Sequence, residues 1–190
     1  MKTVECEITG VAAMLQHRFA AEEHGVNKSR GKKKTYVPEE EAEKALYRSP
    51  DGTIYQPSEH ILSSLIKAAV NFTYEGKKSF KDCVKAGVIV EPDAISLLDA
   101  KGETRTTWDE IDARGVLVQR ARVIRWRPKF NQWKLRFKLT IINDDQINTA
   151  TLKDILEMGG RTGLGDYRPR FGRYTITKWQ ELSNGTKLSS

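Results

Sequence analysis

The sequence predicts an α+β fold built on one antiparallel sheet, and three observations lead to this prediction. Residues 2–8 and, more cleanly, residues 133–142 alternate between apolar and polar side chains, as half-buried strands do. Residues 58–72 carry apolar side chains at the spacing of an amphipathic helix. A second helix and a final alternating strand, residues 174–179, follow. The order β-α-β-β-α-β is ferredoxin-like, with the helices on one face of the sheet.

A large insertion is predicted after the first strand, over residues 20–57. Its run NKSRGKKK, residues 27–34, is polar and holds five cations. Three of these, Lys32, Lys33 and Lys34, form an arm that we expect to order on nucleic acid, although a solvated loop is the simpler interpretation. A short acidic helix started by Pro38 and a turn at SPDG, residues 49–52, complete the insertion.

The elements after the insertion can be placed from local signals. Ser58 is the expected N-cap of the first long helix. The best strand pair is predicted between residues 116–126 and 133–142. The last helix begins at TLKD, residues 151–154, which resembles a capping box with Asp in place of the usual Glu, and the Gly pair at 159–160 is expected to end it.

Length and composition restrict the class of protein. With 190 residues, 38% of them apolar, the chain can form one domain with a core, which we predict over residues 1–182 with a flexible tail over 183–190. The sequence lacks a membrane-length apolar run and a secretory signal, so a cytoplasmic location is predicted. Cys6 and Cys83 do not show metal-ligand spacing, and no metal or cofactor is expected.

Positive charge is concentrated in the C-terminal third of the chain. The net charge is +7, but residues 114–178 hold 15 Lys and Arg against 5 Asp and Glu, whereas residues 1–113 hold 16 against 19. A one-sided positive field of this kind favours binding of a polyanion.

The segment Gly159–Tyr174, GGRTGLGDYRPRFGRY, combines three residue types that single-stranded nucleic-acid binding uses. Glycine lets backbone N–H groups approach an anion, arginine offers a planar fork to phosphate, and aromatic rings stack on bases. A tight helix-to-strand turn alone would also explain the glycines. The residues predicted to bind nucleic acid here are Arg161, Gly163, Gly165, Tyr167, Arg168, Arg170, Gly172, Arg173 and Tyr174. Phe171 is expected to stack or pack beside them.

A basic sheet face is predicted from the polar side of the predicted strand pair. Its cations are Arg120, Arg122, Lys134, Arg136 and Lys138. Like charges on opposed strands repel, by up to about 1 kcal/mol per pair, which a bound anion would relieve. Alternatively, Glu5 and Glu7 neutralise the first two of these arginines. If these cations bind the nucleic-acid backbone, the affinity should depend strongly on salt concentration and only weakly on base sequence.

Two segments resemble the repeat-associated RNA-binding (RAMP) superfamily of CRISPR systems. Gly-Leu-Gly at 163–165, followed after six residues by Gly-Arg-Tyr at 172–174, is similar to the glycine-rich loop between the last helix and last strand of that superfamily. Residues 8–18, ITGVAAMLQHR, are similar to its first strand and following turn. Small phage and prophage proteins share this layout. The resemblance covers about half of the chain and implies a ferredoxin-like RNA-binding domain.

The resemblance also implies alternatives to simple binding. Some relatives cleave RNA without metal, using a histidine near the start of the fold as general acid–base, and His17 with Lys67 or Tyr174 would take these roles here. Other relatives are subunits that assemble along the strand as homo-oligomers or filaments. A protein-interaction module with an acidic partner is a third alternative. We predict binding of single-stranded nucleic acid, RNA ahead of DNA, without catalysis.

Overall fold

A computed structural model of the chain describes residues 1–18, 37–118 and 121–182. The elements in chain order are β1 (Lys2–Gly10), β2 (Met14–Leu15), α1 (Pro38–Lys44), β3 (Tyr55–Pro57), α2 (Ser58–Ala69), β4 (Thr73–Glu75), β5 (Lys78–Ser79), α3 (Lys81–Gly87), β6 (Val88–Glu91), β7 (Ala94–Leu98), β8 (Glu110–Val118), β9 (Ala121–Phe130), β10 (Lys134–Ile141), α4 (Thr149–Thr162) and β11 (Tyr174–Leu182). The predicted α+β class is confirmed.

The main sheet has the strand order β11-β1-β10-β7-β3, and β6 also pairs with β10. Every pairing within this sheet is antiparallel. The first strand of the chain therefore lies beside the last strand, although some 170 residues separate them. This arrangement places the C-terminal end of α4 and the start of β11 against the turn that follows β1.

The core lies between one face of this sheet and the helices α2 and α4. Alternate residues of β1 and β10, such as Val4, Ile8, Leu135 and Leu139, are completely buried, as their period-2 pattern predicts. Each such side chain contributes about 1.5–3 kcal/mol of hydrophobic free energy. Cys6 belongs to the same row, and burial raises the pKa of its thiol to about 12, so it packs as a neutral apolar residue.

The predicted strand pair is wrong. Residues 116–118 lie in β8 and residues 121–126 in β9, and these two strands pair with each other in a separate sheet with β2. In contrast, β10 pairs with β1, β6 and β7. The physical reason is that alternation assigns the two faces of a strand but says nothing about its neighbour.

Both predicted ends of the last helix are also wrong. The N-cap of α4 is Asn148, whose Oδ1 accepts a hydrogen bond from the Thr151 backbone N–H at 2.8 Å. The helix then continues through Gly159 and Gly160. A Cβ added at Gly160 would lie 2.4 Å from the Tyr174 carbonyl oxygen, so this glycine allows close packing of α4 on β11. Ser58 begins α2 but does not cap it, because Pro57 occupies the N-cap position.

The region of the predicted insertion is described from residue 37 onward. The acidic helix started by Pro38 is confirmed as α1. The last element of the predicted insertion is β3, which pairs with β7 and extends the main sheet. This part of the predicted insertion is therefore not separate from the sheet.

Candidate nucleic-acid interface

The glycine-rich loop, residues 163–173, packs against the turn that follows β1. The backbone N–H of Gly172 donates to the Ala13 carbonyl at 2.8 Å, and that of Asp166 donates to the Leu15 carbonyl at 2.9 Å. Within the loop, the Leu164 N–H donates to the Gly172 carbonyl, also at 2.9 Å. These N–H groups are therefore satisfied by the protein and do not form the predicted anion cradle.

The glycines of the loop are required by its own backbone. Gly165 and Gly172 both have φ of 75°, which strongly favours glycine. A Cβ on Gly165 would lie 2.3 Å from the Leu15 carbonyl oxygen, and one on Gly172 would lie 1.7 Å from the Leu164 carbonyl oxygen. Gly163 has φ of 85° and is buried. The tight-turn interpretation therefore accounts for these glycines.

The arginines of the loop, and Arg161 in the last turn of α4, point outward. Arg161, Arg168, Arg170 and Arg173 are all exposed, and none of them forms an ion pair with another residue in the described part of the chain. Lys67 of α2 joins Arg161 and Arg168 in lining an open groove of about 750 Å³ beside the loop. We call these five cations the loop face. Lys67 was predicted only as a partner of His17 in catalysis. The apolar spacing of a helix does not indicate which loop packs against that helix.

A buried arginine of the β8–β9 hairpin holds the loop in place. Arg127 is only 4% exposed, and its Nε donates to Asp166 Oδ2 at 2.5 Å. Its guanidinium lies 5.2 Å from the Tyr167 ring centroid. Arg114 lies 5.3 Å from the same ring and 4.8 Å from that of Phe171. The hairpin therefore supports the loop through a buried charge and stacked guanidinium groups.

The three aromatic residues of the loop differ in exposure. Tyr174 is 3% exposed and its hydroxyl donates to the Leu156 carbonyl, while burial raises its pKa. Phe171 is buried as well. Tyr167 remains exposed, with a left-handed φ of 56°. Tyr174 and Phe171 therefore pack inside the protein, and a buried Tyr174 does not present the binding or catalytic ring that was predicted. Tyr167 keeps 37% of its surface exposed, beside the guanidinium groups of Arg114 and Arg127.

A polar pocket of about 190 Å³ adjoins the groove, and Asp166 lines both. The other residues that line the pocket are Gln16, His17, Tyr47, Gln56, His60 and Gly165. The sequence predicted no second histidine close to His17. The structure brings His60 of α2 to the same pocket, and no sequence signal indicated this, because the two residues lie on separate elements.

Two buried glutamines orient the His60 ring. The Gln16 Nε2 donates to Gln56 Oε1 at 3.1 Å, which directs the Gln56 Nε2 toward His60 Nδ1 at 2.5 Å. Because Nδ1 accepts this hydrogen bond, the proton of the neutral ring lies on Nε2. Burial lowers the pKa of His60, against an opposing effect of Glu59, and nearby Arg168 lowers it further. His60 is thus a neutral hydrogen-bond donor at neutral pH.

The polar face of the main sheet, which we call the sheet face, carries its own carboxylates. Glu7 accepts from Arg136 Nε at 2.6 Å, and Glu5 accepts from Lys178 Nζ at 2.7 Å. These hydrogen bonds lower the pKa of both carboxyl groups. Lys138 lies directly opposite Glu5, and Lys134 is close enough to lower the pKa of Glu7 further.

The predicted grouping of sheet cations therefore requires correction. In the described part of the chain, Glu5 pairs with Lys178 and Glu7 pairs with Arg136, and neither pairs with Arg122. Arg122 is exposed on β9, away from the main sheet, because β9 is part of the hairpin. Arg120 and the run Lys32, Lys33 and Lys34 lie outside the described residues.

The described residues form neither a metal-ligand cluster nor a membrane-length helix. No group of three or more His, Cys, Asp or Glu side chains there is arranged to hold a metal ion. None of the helices in these ranges is long and apolar enough to cross a membrane.

Comparison with solved structures shows that the fold resembles that of known chains. The fold is similar to that of a chain in the cryo-EM structure of the type III-B Cmr-beta complex bound to cognate target RNA, with a TM-score of 0.57 and 13% sequence identity. The match covers 95% of this chain but 60% of the other, so this chain spans only part of that protein's length. No protein-family model matches the sequence, and no curated protein matches it. The likeness shows that the two chains share a fold.

Proposed function

We propose that this protein binds single-stranded RNA through the phosphate backbone, using the loop face. The observation that carries the proposal is the set of exposed, unpaired cations around the groove, contributed by α2, α4 and the loop. Arginine and lysine at such positions neutralise phosphates and release counterions, which is the main source of sequence-independent affinity. Tyr167, the exposed ring of the loop, would stack on a base, since stacking tolerates any sequence.

The same proposal includes two finer points: the bound strand is RNA, and several copies of the protein assemble along it. It is supported by the likeness to a chain from a complex that binds target RNA and by the sequence resemblance to the RAMP superfamily. The strand order β11-β1-β10-β6 and the position of the loop between α4 and β11 support a ferredoxin-like description of the fold. Several copies along one strand would each contribute one loop face.

The test compares matched double variants on the two faces. Arg168→Ala/Arg170→Ala removes two loop-face cations, and Lys134→Ala/Lys138→Ala removes two sheet-face cations. Affinity for a fluorescent single-stranded RNA is measured by anisotropy over a range of salt concentrations. The loop variant is expected to flatten the salt slope by about 1.4, since each phosphate contact contributes about 0.7.

Three outcomes separate the alternatives. Unchanged affinity in a folded loop variant contradicts the proposal. Equal losses in both variants indicate a net-charge effect without a localised site. Tight binding to polyglutamate, but not to RNA, favours the interaction module with an acidic partner. Analytical ultracentrifugation on strands of increasing length then tests assembly, because a filament gives complexes that grow with strand length.

A second candidate function is metal-independent RNA cleavage, which is favoured by the presence of His17 and His60 in one pocket. His17 would act as the general base toward a 2′-hydroxyl, and the Nε2–H of His60 would donate to the developing negative charge. Products ending in a cyclic phosphate, formed in EDTA and lost in both His17→Ala and His60→Ala, would establish this activity. Intact RNA after prolonged incubation would exclude it.

A further inference from the structure

The pocket beside the groove is too small for a whole nucleotide but suits one ring system. Its volume of about 190 Å³ lies below the roughly 300–1,000 Å³ of sites that take drug-sized ligands. Most of its lining side chains are polar, and three of them carry flat rings, Tyr47, His17 and His60. Such a lining favours a flat, polar ring over an aliphatic group.

The pocket offers hydrogen-bond partners of defined direction. His60 presents the Nε2–H donor, because Gln56 holds its Nδ1, and the two glutamines that enforce this are buried at 0% and 1% exposure. Asp166 presents a carboxylate, an acceptor only, which is fixed by Arg127 and by the Tyr167 backbone N–H. A ligand that matches needs donors facing Asp166 and an acceptor facing His60.

The position of the pocket relates it to the RNA backbone. Asp166 lines both the pocket and the groove, so a strand that follows the cations of the groove passes the mouth of the pocket. A single-stranded base is unpaired and can turn into a pocket at low cost, whereas a duplex must first be opened.

We propose that the pocket accepts one guanine base of the bound strand. Guanine places its N1–H and 2-amino donors on one edge, toward Asp166, with the O6 acceptor beside them for the Nε2–H of His60. This inference rests on the proposed RNA binding and adds a base preference to a backbone interaction that has none of its own.

The test measures base preference separately from overall affinity. Anisotropy titrations compare uridine strands of about 15 nucleotides with the same strands carrying guanosine, inosine or adenosine at regular intervals. The guanosine strand is expected to bind about tenfold more tightly than the uridine strand, as hydrogen bonds to a charged group suggest. Inosine lacks the 2-amino group and is expected to lie between them.

Variants then assign the preference to the pocket. His60→Phe keeps a ring but removes the donor, and it should abolish the guanosine preference while leaving binding to the uridine strand unchanged. Tyr47→Phe serves as a second variant, with a smaller expected loss, if circular dichroism shows that His60→Phe does not fold. Lys178→Gln on the sheet face is the matched control and should retain the preference.

The outcomes distinguish this inference from the proposed function. If no strand binds, RNA binding itself fails. If strands bind and the guanosine preference is absent, or survives in the folded pocket variant, the base pocket alone is wrong. Guanosine monophosphate provides the last arm: affinity equal to that of the guanosine strand would identify a free nucleotide as the ligand and overturn the assignment to a strand base.

Discussion

The loop face and the sheet face both collect cations, but their carboxylates are used differently. On the sheet face Glu5 and Glu7 lie on the central strand and pair with Lys178 and Arg136. In the groove beside the loop face, the carboxylate of Asp166 forms an ion pair with the buried Arg127. The outer arginines of the loop face therefore keep their positive field. The number of cations alone does not show which face can attract an anion, because this also depends on where the counter-charges lie.

The largest expected effect is on the free energy of unfolding, to which the ion pairs of the two faces contribute differently. Arg127→Met should lower the free energy of unfolding by about 2 kcal/mol, because it removes the charged hydrogen bond from a buried guanidinium to Asp166, whose side chain is 36% exposed. Arg136→Met, the matched change on the sheet face, should cost at most about 1 kcal/mol, since its pair with Glu7 is exposed. Urea denaturation measures both. Equal losses would show that the Arg127 pair is no more important than a surface pair.

Removing the carboxylates of the sheet face should make it resemble the loop face. Glu5→Gln/Glu7→Gln frees Lys178 and Arg136, and the salt slope of RNA binding should become steeper by up to about 1.4. Glu43→Gln/Glu75→Gln makes the same change in net charge on α1 and β4 and serves as the control. A similar increase in both variants would mean that net charge, and not the carboxylates of the sheet face, limits binding there.

The smallest expected effect is a difference between the pocket beside the loop face and the sheet face in the pH range over which each loses stability in acid. Burial lowers the pKa of His60 below its ordinary 6.5, so the unfolded state binds the proton first and stability falls as pH decreases below 6.5. The pKa of Glu7 is lowered below 4.5 by Arg136, so the stability from that pair is present above 4.5 and is lost as pH falls through its folded value.

Thermal denaturation across this pH range, with single variants, checks the assignment. His60→Phe should remove a loss of stability that begins near pH 6.5, and Glu7→Gln should remove one confined to pH below 4.5. If both variants retain the full acid profile of the parent protein, other groups control its response to pH.

Local patterns predicted several features that the structure contains. The alternation of β10 correctly separated its buried residues from Arg136 and Lys138, and Pro38 correctly marked the start of α1. The helix ends were less predictable. Gly160 was interpreted as a stop signal, yet it lies inside α4 because β11 approaches the helix at that point. Its role depends on a residue 14 positions away in sequence, which no local rule includes.

The sequence by itself determined the α+β class, the buried rows of the central strands and the concentration of positive charge near the C-terminus. These features depend on side-chain period and composition, which are properties of short segments. Only the tertiary structure decided that β10 lies beside β1, that Glu5 and Glu7 pair with two of the sheet-face cations, and that His17 and His60 line one pocket. Contacts of this kind join distant segments, and their energies arise only when the chain has packed, so a single sequence does not display them.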